Sequence, residues 1–182
     1  FICIVLVSNF STISFNSKEI NEEQIGQLRR AFQKSLANLN QKSIYGLLIH
    51  SCNDLLKPRG EAIFKEIEKF RNSGLVQKIG VSVYDSDQID YLLSEYDIDI
   101  VQLPINILDQ RLINSGHLKK LKDCNIEIHA RSVFLQGLLL MSLEDIPSYF
   151  SPILDDLIKI KKASSGMGLS SLELALSFVT GV

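Results

Sequence analysis

His50 closes the apolar run I44-Y-G-L-L-I-H50, where an imidazole can polarise a carbonyl, exchange a proton or take a metal. From the residues alone two readings stay open. The ring is either presented at the rim of a sheet or satisfied by a neighbouring backbone carbonyl. Cys52 follows two residues later, but no third group nearby orients a base, so thiol nucleophile chemistry is not expected. His129 sits inside a strand-like stretch and His117 inside a helical one. Three histidines in unrelated settings make no metal constellation, and no metal is expected. Gln102 interrupts the apolar run over 98–107, and a buried amide must find partners. It either ties the sheet to a loop or meets a polar ligand. Ser82 follows Gly80-Val81, while Ser132 and Gly137 follow the stretch I126-E-I-H-A-R131. Hydroxyls, backbone N–H groups and glycines at strand ends suit phosphate or amide binding, and they suit plain turns equally. Gly166 and Gly168 have no lysine behind them and read as a flexible link rather than a phosphate loop.

These residues hang on a repeated rhythm. Short β-branched runs at about 2–7, 44–50, 76–82, 99–104 and 126–131 each end in polar or glycine-bearing residues, and a helical pattern follows each. Nearly continuous apolar runs are what strands buried on both faces require, which implies a parallel sheet. Asn21 and Gln24 form a capping-box spacing before Ile25, Leu28, Phe32, Leu36 and Leu39. A second helix is expected over about 59–72, with Ile63, Ile67 and Phe70 inward and Lys65, Glu66, Glu68 and Lys69 in water. Gly74 closes it. Asp85 or Ser86 caps a third helix, and a short fourth lies near 115–123. After the last strand the rhythm breaks into a loop at 140–150, a helix at about 151–163, a Gly/Ser link and a helix opened by Ser170 and Glu173. Five strands with intervening helices fit either part of a (β/α)₈ barrel or an open, flavodoxin-like sheet serving as a ligand-binding domain.

The bulk numbers exclude several classes. The chain has 182 residues, 46% hydrophobic and 22% charged, with a net charge of −2. That is one domain with a real core, and it carries no basic footprint for nucleic acid. No apolar run approaches the ~20 residues of a membrane helix, so no membrane partner is expected. Cys3, Cys52 and Cys124 are scattered and odd in number, which fits a reducing cytoplasm. The start at Phe1 rather than Met suggests a fragment or a processed form. Nothing in the sequence fixes an oligomeric state.

Taken in order, these segments resemble the aldo-keto reductases. Y45-G-L-L-I-H50 resembles the fourth barrel strand, which ends in the active-site histidine. G74-L-V-Q-K-I-G-V-S82 resembles the fifth, and V101-Q-L-P-I-N106 with L108-D-Q-R111 the sixth. A130-R-S-V-F-L-Q-G-L-L139 resembles the seventh strand and its loop, and L172-E-L-A-L-S-F178 the helix before the eighth. The resemblance implies an α/β fold, a parallel (β/α)₈ TIM barrel of which residues 1–182 form one partial domain. About strands three to seven are covered; the first two and the last are lacking.

It further implies hydride transfer from NADP, with NAD possible, to a small aldehyde or ketone. His50 would orient and polarise the carbonyl. Ser82 and Gln102 would hold the nicotinamide carboxamide, and Ser132, Leu135 and Gly137 would lie along the cofactor phosphates. Val83 departs from the family, which usually has asparagine there. V5-L-V-S-N-F10 also lacks the family's lysine, and Lys18 comes too late to replace it. The tyrosine and aspartate of the catalytic set are expected before Phe1. The chain by itself is therefore expected to be an inactive fragment, with a non-catalytic regulatory or binding subunit as the alternative.

Overall fold

The computed structural model describes residues 19–182. The strand expected at 2–7, Cys3 and Lys18 lie outside these residues. Helix α1 (Glu22–Asn38) opens with the capping box expected of Asn21 and Gln24, each side chain accepting from the other's backbone N–H at 3.0 Å. There follow β1 (Ile44–Ile49), α2 (Glu61–Asn72), β2 (Val76–Ser82), α3 (Ser86–Glu95) and β3 (Ile100–Pro104). The short α4 (Arg111–Asn114) and α5 (His117–Asp123) lead to β4 (Glu127–Arg131), and α6 (Leu154–Gly166) and α7 (Ser171–Gly181) end the chain. Asp85, not Ser86, caps α3, its carboxylate accepting from the Gln88 N–H.

The strands form one sheet in the order β1-β2-β3-β4, with β1–β2 and β2–β3 parallel. This order decides between the two architectures. A flavodoxin-like sheet runs 2-1-3-4-5, which would insert the first expected strand between the strands at 44–49 and 76–82. Those two pair directly, Ile44 opposite Val76 through Ile49 opposite Val81. The open-sheet alternative is overturned, and consecutive pairing is the order of a barrel's βα units.

The chain divides into two compact units. The first takes the residues up to Leu103 together with Lys119–His129. Its core joins Leu47, Ile49, Ile79, Val81, Val101 and Leu103 of the strands to Ile25, Phe32, Ile63, Ile67, Ile89 and Leu92 of the helices. Phe32 of α1 stacks on Phe70 of α2 with ring centroids 4.2 Å apart. Gly80 lets β2 approach β3 closely, since a Cβ there would fall 1.7 Å from the Ile100 carbonyl oxygen.

One expectation fails in this unit. Glu66 is not in water but 3% exposed, its carboxylate taking the Arg29 guanidinium of α1 and, at 3.1 Å, the Lys69 ammonium. The reason is geometric. Residue 66 lies three after Ile63 and four before Phe70, so it belongs to the inward stripe, and the Arg29 partner permits its burial.

The second unit comprises Pro104–Leu118 and Ala130–Val182. Leu138, Leu139 and Leu157 form its centre, with Leu135, Ile146, Phe150, Ile153 and Ile160 packed against them. The loop expected at 140–150 carries short 3₁₀ turns at Leu143–Asp145 and Ser148–Ile153. The first three residues of the expected Gly/Ser link are helical: α6 runs through Gly166. Gly168, at φ +68°, ends it while the Leu169 N–H returns to the Ser164 carbonyl. That is a left-handed helix stop, not a phosphate loop.

Candidate active site

Three expected residues share one level at the downstream ends of consecutive parallel strands. Ile49 stands opposite Val81, so His50, the next residue, follows at the level of Ser82; Ser82 in turn stands opposite Gln102. The Ser82 hydroxyl donates to Gln102 Oε1 at 3.4 Å, and the Val83 N–H donates to the Gln102 carbonyl at 2.8 Å. Ser82 is buried, Gln102 half-buried and His50 exposed. The His50 side chain has no hydrogen-bond partner among the described residues. Val83, fully buried, brings no polar side chain to this edge.

Burial, with the charge of Asp85, pushes the Cys52 thiol up to about 11, so it is no thiolate nucleophile near neutrality. His117 Nδ1 lies 2.9 Å from the Ser115 hydroxyl on an exposed helix start. Among the described residues, no group of three His, Cys, Asp or Glu is placed to hold a metal ion, and no helix is long and apolar enough to cross a membrane.

In the second unit the segment after β4 has an unusual backbone. Ser132 (φ +59°), Leu135 (φ +47°), Gln136 (φ +55°) and Gly137 (φ +97°) all occupy the left-handed region. Three of the four are not glycine, so the conformation costs energy and must be imposed by its surroundings. Leu135 is fixed by packing its side chain on the Leu138–Leu139–Leu157 cluster. Successive turns of this kind point backbone N–H groups to one side and form concavities suited to an anion. Asn106, 1% exposed, reaches the same segment by donating from Nδ2 to the Ser132 carbonyl at 3.2 Å.

Sequence reasoning missed a second polar assembly, at the opposite ends of the strands in the first unit. The Tyr45 hydroxyl donates to Glu127 Oε2 at 2.5 Å, the Lys78 ammonium donates to the same oxygen, and His129 Nε2 lies 2.5 Å from Oε1. The Lys78 ammonium also sits 5.3 Å from the centre of the Tyr45 ring. Burial alone would raise the Glu127 carboxyl, but hydrogen bonds from His129, Lys78 and Tyr45 outweigh it and hold the group at about 2. The bond to Glu127, then that to Tyr45, raises Lys78 above the usual ammonium range. Charged residues at strand starts, Lys78 and Glu127, were the available signal, but nothing local pairs them. In a barrel this end of the strands serves stability.

A sequence model of the aldo/keto reductase family matches residues 10–181. The chain belongs to that family. Among curated proteins, none matches it. Its fold is similar to that of the glycerol dehydrogenase of Gluconobacter oxydans, with TM-score 0.67 and 20% identity over 91% of this chain and 53% of that one. An aldo/keto reductase of Klebsiella pneumoniae, crystallised with NADP and acetate, gives 0.60 and 17% over 84% and 50%. The holo form of an aldo-keto reductase of Bacillus halodurans gives 0.59 and 18% over 74% and 43%. The chain thus spans about half the length of the solved structures it matches, and at these identities the likeness establishes the fold.

Proposed function

We propose that the whole protein is a nicotinamide-dependent carbonyl reductase in which His50 orients and polarises the carbonyl of a small aldehyde or ketone. The observation that carries this reading is the common level of His50, Ser82 and Gln102 at the downstream ends of three consecutive parallel strands, where barrel enzymes hold their chemistry. The donor set suits the cofactor. A carboxamide needs one acceptor and one donor, and the Ser82 hydroxyl with the Gln102 amide offers both. Ser132, Leu135 and Gly137 would lie along the phosphates, for which the left-handed backbone of their segment is suited. When bound, the cofactor would supply the hydride that reduces the carbonyl carbon. NADP is favoured over NAD because a structural neighbour is recorded with NADP. Residues 1–182 are proposed as one partial barrel domain of a cytoplasmic protein.

A reductase also needs an acid for the oxygen that becomes an alkoxide, typically worth ~10²–10⁴ in rate. Tyr45, with Lys78 beside it, has the right chemistry in the wrong place. It lies five residues before His50 on one strand, roughly 16 Å away along the chain, and its hydroxyl is committed to Glu127. These 182 residues alone are therefore proposed to leave carbonyls unreduced.

The test is NADPH consumption with a panel of small aldehydes, by the whole protein and by its His50→Ala variant. The expected result is turnover by the first and a loss of about 10²-fold in kcat/KM by the second. An undiminished rate in the variant would remove His50 from the chemistry. NADPH binding without consumption by the whole protein would favour the regulatory-subunit alternative, to which Val83 lends some support.

A further inference from the structure

We infer that Asn106 is a positioning residue for nucleotide binding, holding the Ser132 peptide in the left-handed conformation that the phosphate segment requires. The inference rests on the nucleotide reading given above and adds to it a residue that itself touches no cofactor. Asn106 follows β3 and is buried to 1% exposure, so its amide must be satisfied from within. Its Oδ1 accepts from the Leu108 N–H and the Asp109 N–H, both at 2.9 Å. The Asp109 carboxylate takes the Arg111 guanidinium and is held below the usual range chiefly by that bond. The turn is thus a rigid frame built on the Asn106 oxygen. Its nitrogen is left to face the other way, and it donates to the Ser132 carbonyl at 3.2 Å.

One rung earlier, the Ile105 N–H donates to the Arg131 carbonyl at 3.1 Å. The Asn106 side chain therefore continues the ladder by one step, after the backbone of β3 has turned away. Ser132 is where the chain enters φ +59°, a conformation costing about 1–2 kcal/mol for a residue with a Cβ. Fixing the carbonyl on its C-terminal side sets the orientation of the Ser132–Val133 peptide plane, and with it the direction of the Val133 N–H. The role needs an acceptor and a donor on one short side chain, and asparagine supplies both.

Asn106→Asp separates the two halves of this role. The carboxylate still accepts from Leu108 and Asp109, so the turn is kept, but it sets an oxygen against the Ser132 carbonyl. Once protonated, the introduced carboxyl can donate again. Two readouts are taken on the whole protein: NADP⁺ affinity by titration calorimetry, and hydrogen–deuterium exchange over residues 132–137. At about pH 8 the variant is expected to bind NADP⁺ roughly tenfold more weakly and to exchange the segment roughly tenfold faster, one hydrogen bond's worth. Burial at this 1% exposed position and the opposing Ser132 carbonyl oxygen raise the new carboxyl above the ordinary aspartate value of about 3.9. Affinity should therefore return toward that of the unaltered protein at the same pH as pH falls from 8 to 5 and below. A simple loss of packing would give no recovery at low pH. Unchanged affinity and exchange in the variant, or a loss with no such recovery, would overturn the role of Asn106. Failure of the unaltered protein to bind NADP⁺ would overturn the nucleotide reading itself, and the exchange readout would then decide the tether alone. Slower exchange in the unaltered protein supports the tether; equal exchange overturns it too.

Discussion

The Tyr45 hydroxyl donates to Glu127 Oε2 at 2.5 Å, joining residues 82 positions apart in the chain. Lys78 and His129 complete the carboxylate's shell from β2 and from β4 itself. Glu127 therefore has two donors from other strands and one from its own. Because its folded pKa lies at about 2 against an ordinary 4.5, the folded state favours the ionised form. The stabilisation is fully present above pH 4.5 and is lost as pH falls through about 2. Urea midpoints measured between pH 7 and that region should decline along this window. Glu127→Gln should lose ~1–3 kcal/mol at neutral pH, less than a wholly buried pair because the site is partly wet. It should also flatten the acid decline. An unchanged slope in the variant would place the acid sensitivity elsewhere.

Gly80 and Gly46 offer a matched comparison. A Cβ at Gly80 would meet the Ile100 carbonyl oxygen at 1.7 Å, whereas at Gly46 it would make ordinary contacts, with Ile100 Cδ1 at 3.8 Å and the Lys78 carbonyl oxygen at 3.9 Å. Gly80→Ala should cost ~1–3 kcal/mol or more, by forcing β2 from β3. Gly46→Ala should stay within about 1 kcal/mol. Denaturation midpoints of the two variants decide this, and equal losses would contradict the close approach.

Cys52 should be inert while folded. With its thiol pushed up to about 11 and the side chain buried, the thiolate fraction at pH 8 is roughly 10⁻³. Cys124 is exposed. Iodoacetamide followed by peptide mapping should mark Cys124 in minutes and Cys52 only after denaturant is added. Equal labelling of both under native conditions would show that the turn after His50 opens.

Ser132→Gly removes a side chain from a backbone at φ +59°. Stability should hold or rise by up to ~1 kcal/mol. If the hydroxyl meets a phosphate, NADP⁺ affinity should fall about tenfold or more at the same time, the worth of a hydrogen bond to a charged group. A melt paired with a binding titration separates the two. Stability and affinity rising together would show that the hydroxyl makes no phosphate contact.

How much of this was legible follows from distance along the chain. The Asn21–Gln24 and Ser170–Glu173 boxes, Asp85 at the start of α3 and Gly74 at the end of α2 each depend on partners within five residues. All four are found at positions the sequence marks, with Asp85 rather than Ser86 taking the α3 cap. The four described strands lie within a residue of their expected bounds, since β-branched runs between turn residues have no competing helical period. Of the site, the level shared by His50, Ser82 and Gln102 is a matter of register, and register follows once consecutive strands pair.

Glu66 could have been found, because positions 63, 66, 67 and 70 trace one helical stripe and only its charge argued for water. Asn106 left a fainter trace: N106-I-L-D109 after an apolar run is the spacing of a side-chain turn. The Glu127 shell left only charged residues at strand starts, with nothing to pair them. Its members come from three strands, and no local rule selects which lysine meets which carboxylate.

The sequential strand order has a consequence for how the chain is made. As residues leave the ribosome, β2 can pair with β1 and β3 with β2, each joining a neighbour that has only just emerged. Tyr45 is the exception, since its acceptor is 82 residues behind it. At about 5–20 residues per second, roughly 4–16 s pass between the appearance of the hydroxyl and that of the carboxylate it serves. For the last 49 residues of that interval the foot of the growing sheet carries the Lys78 ammonium without its counter-charge. Among the described strands the base is thus locked last, by a residue of β4.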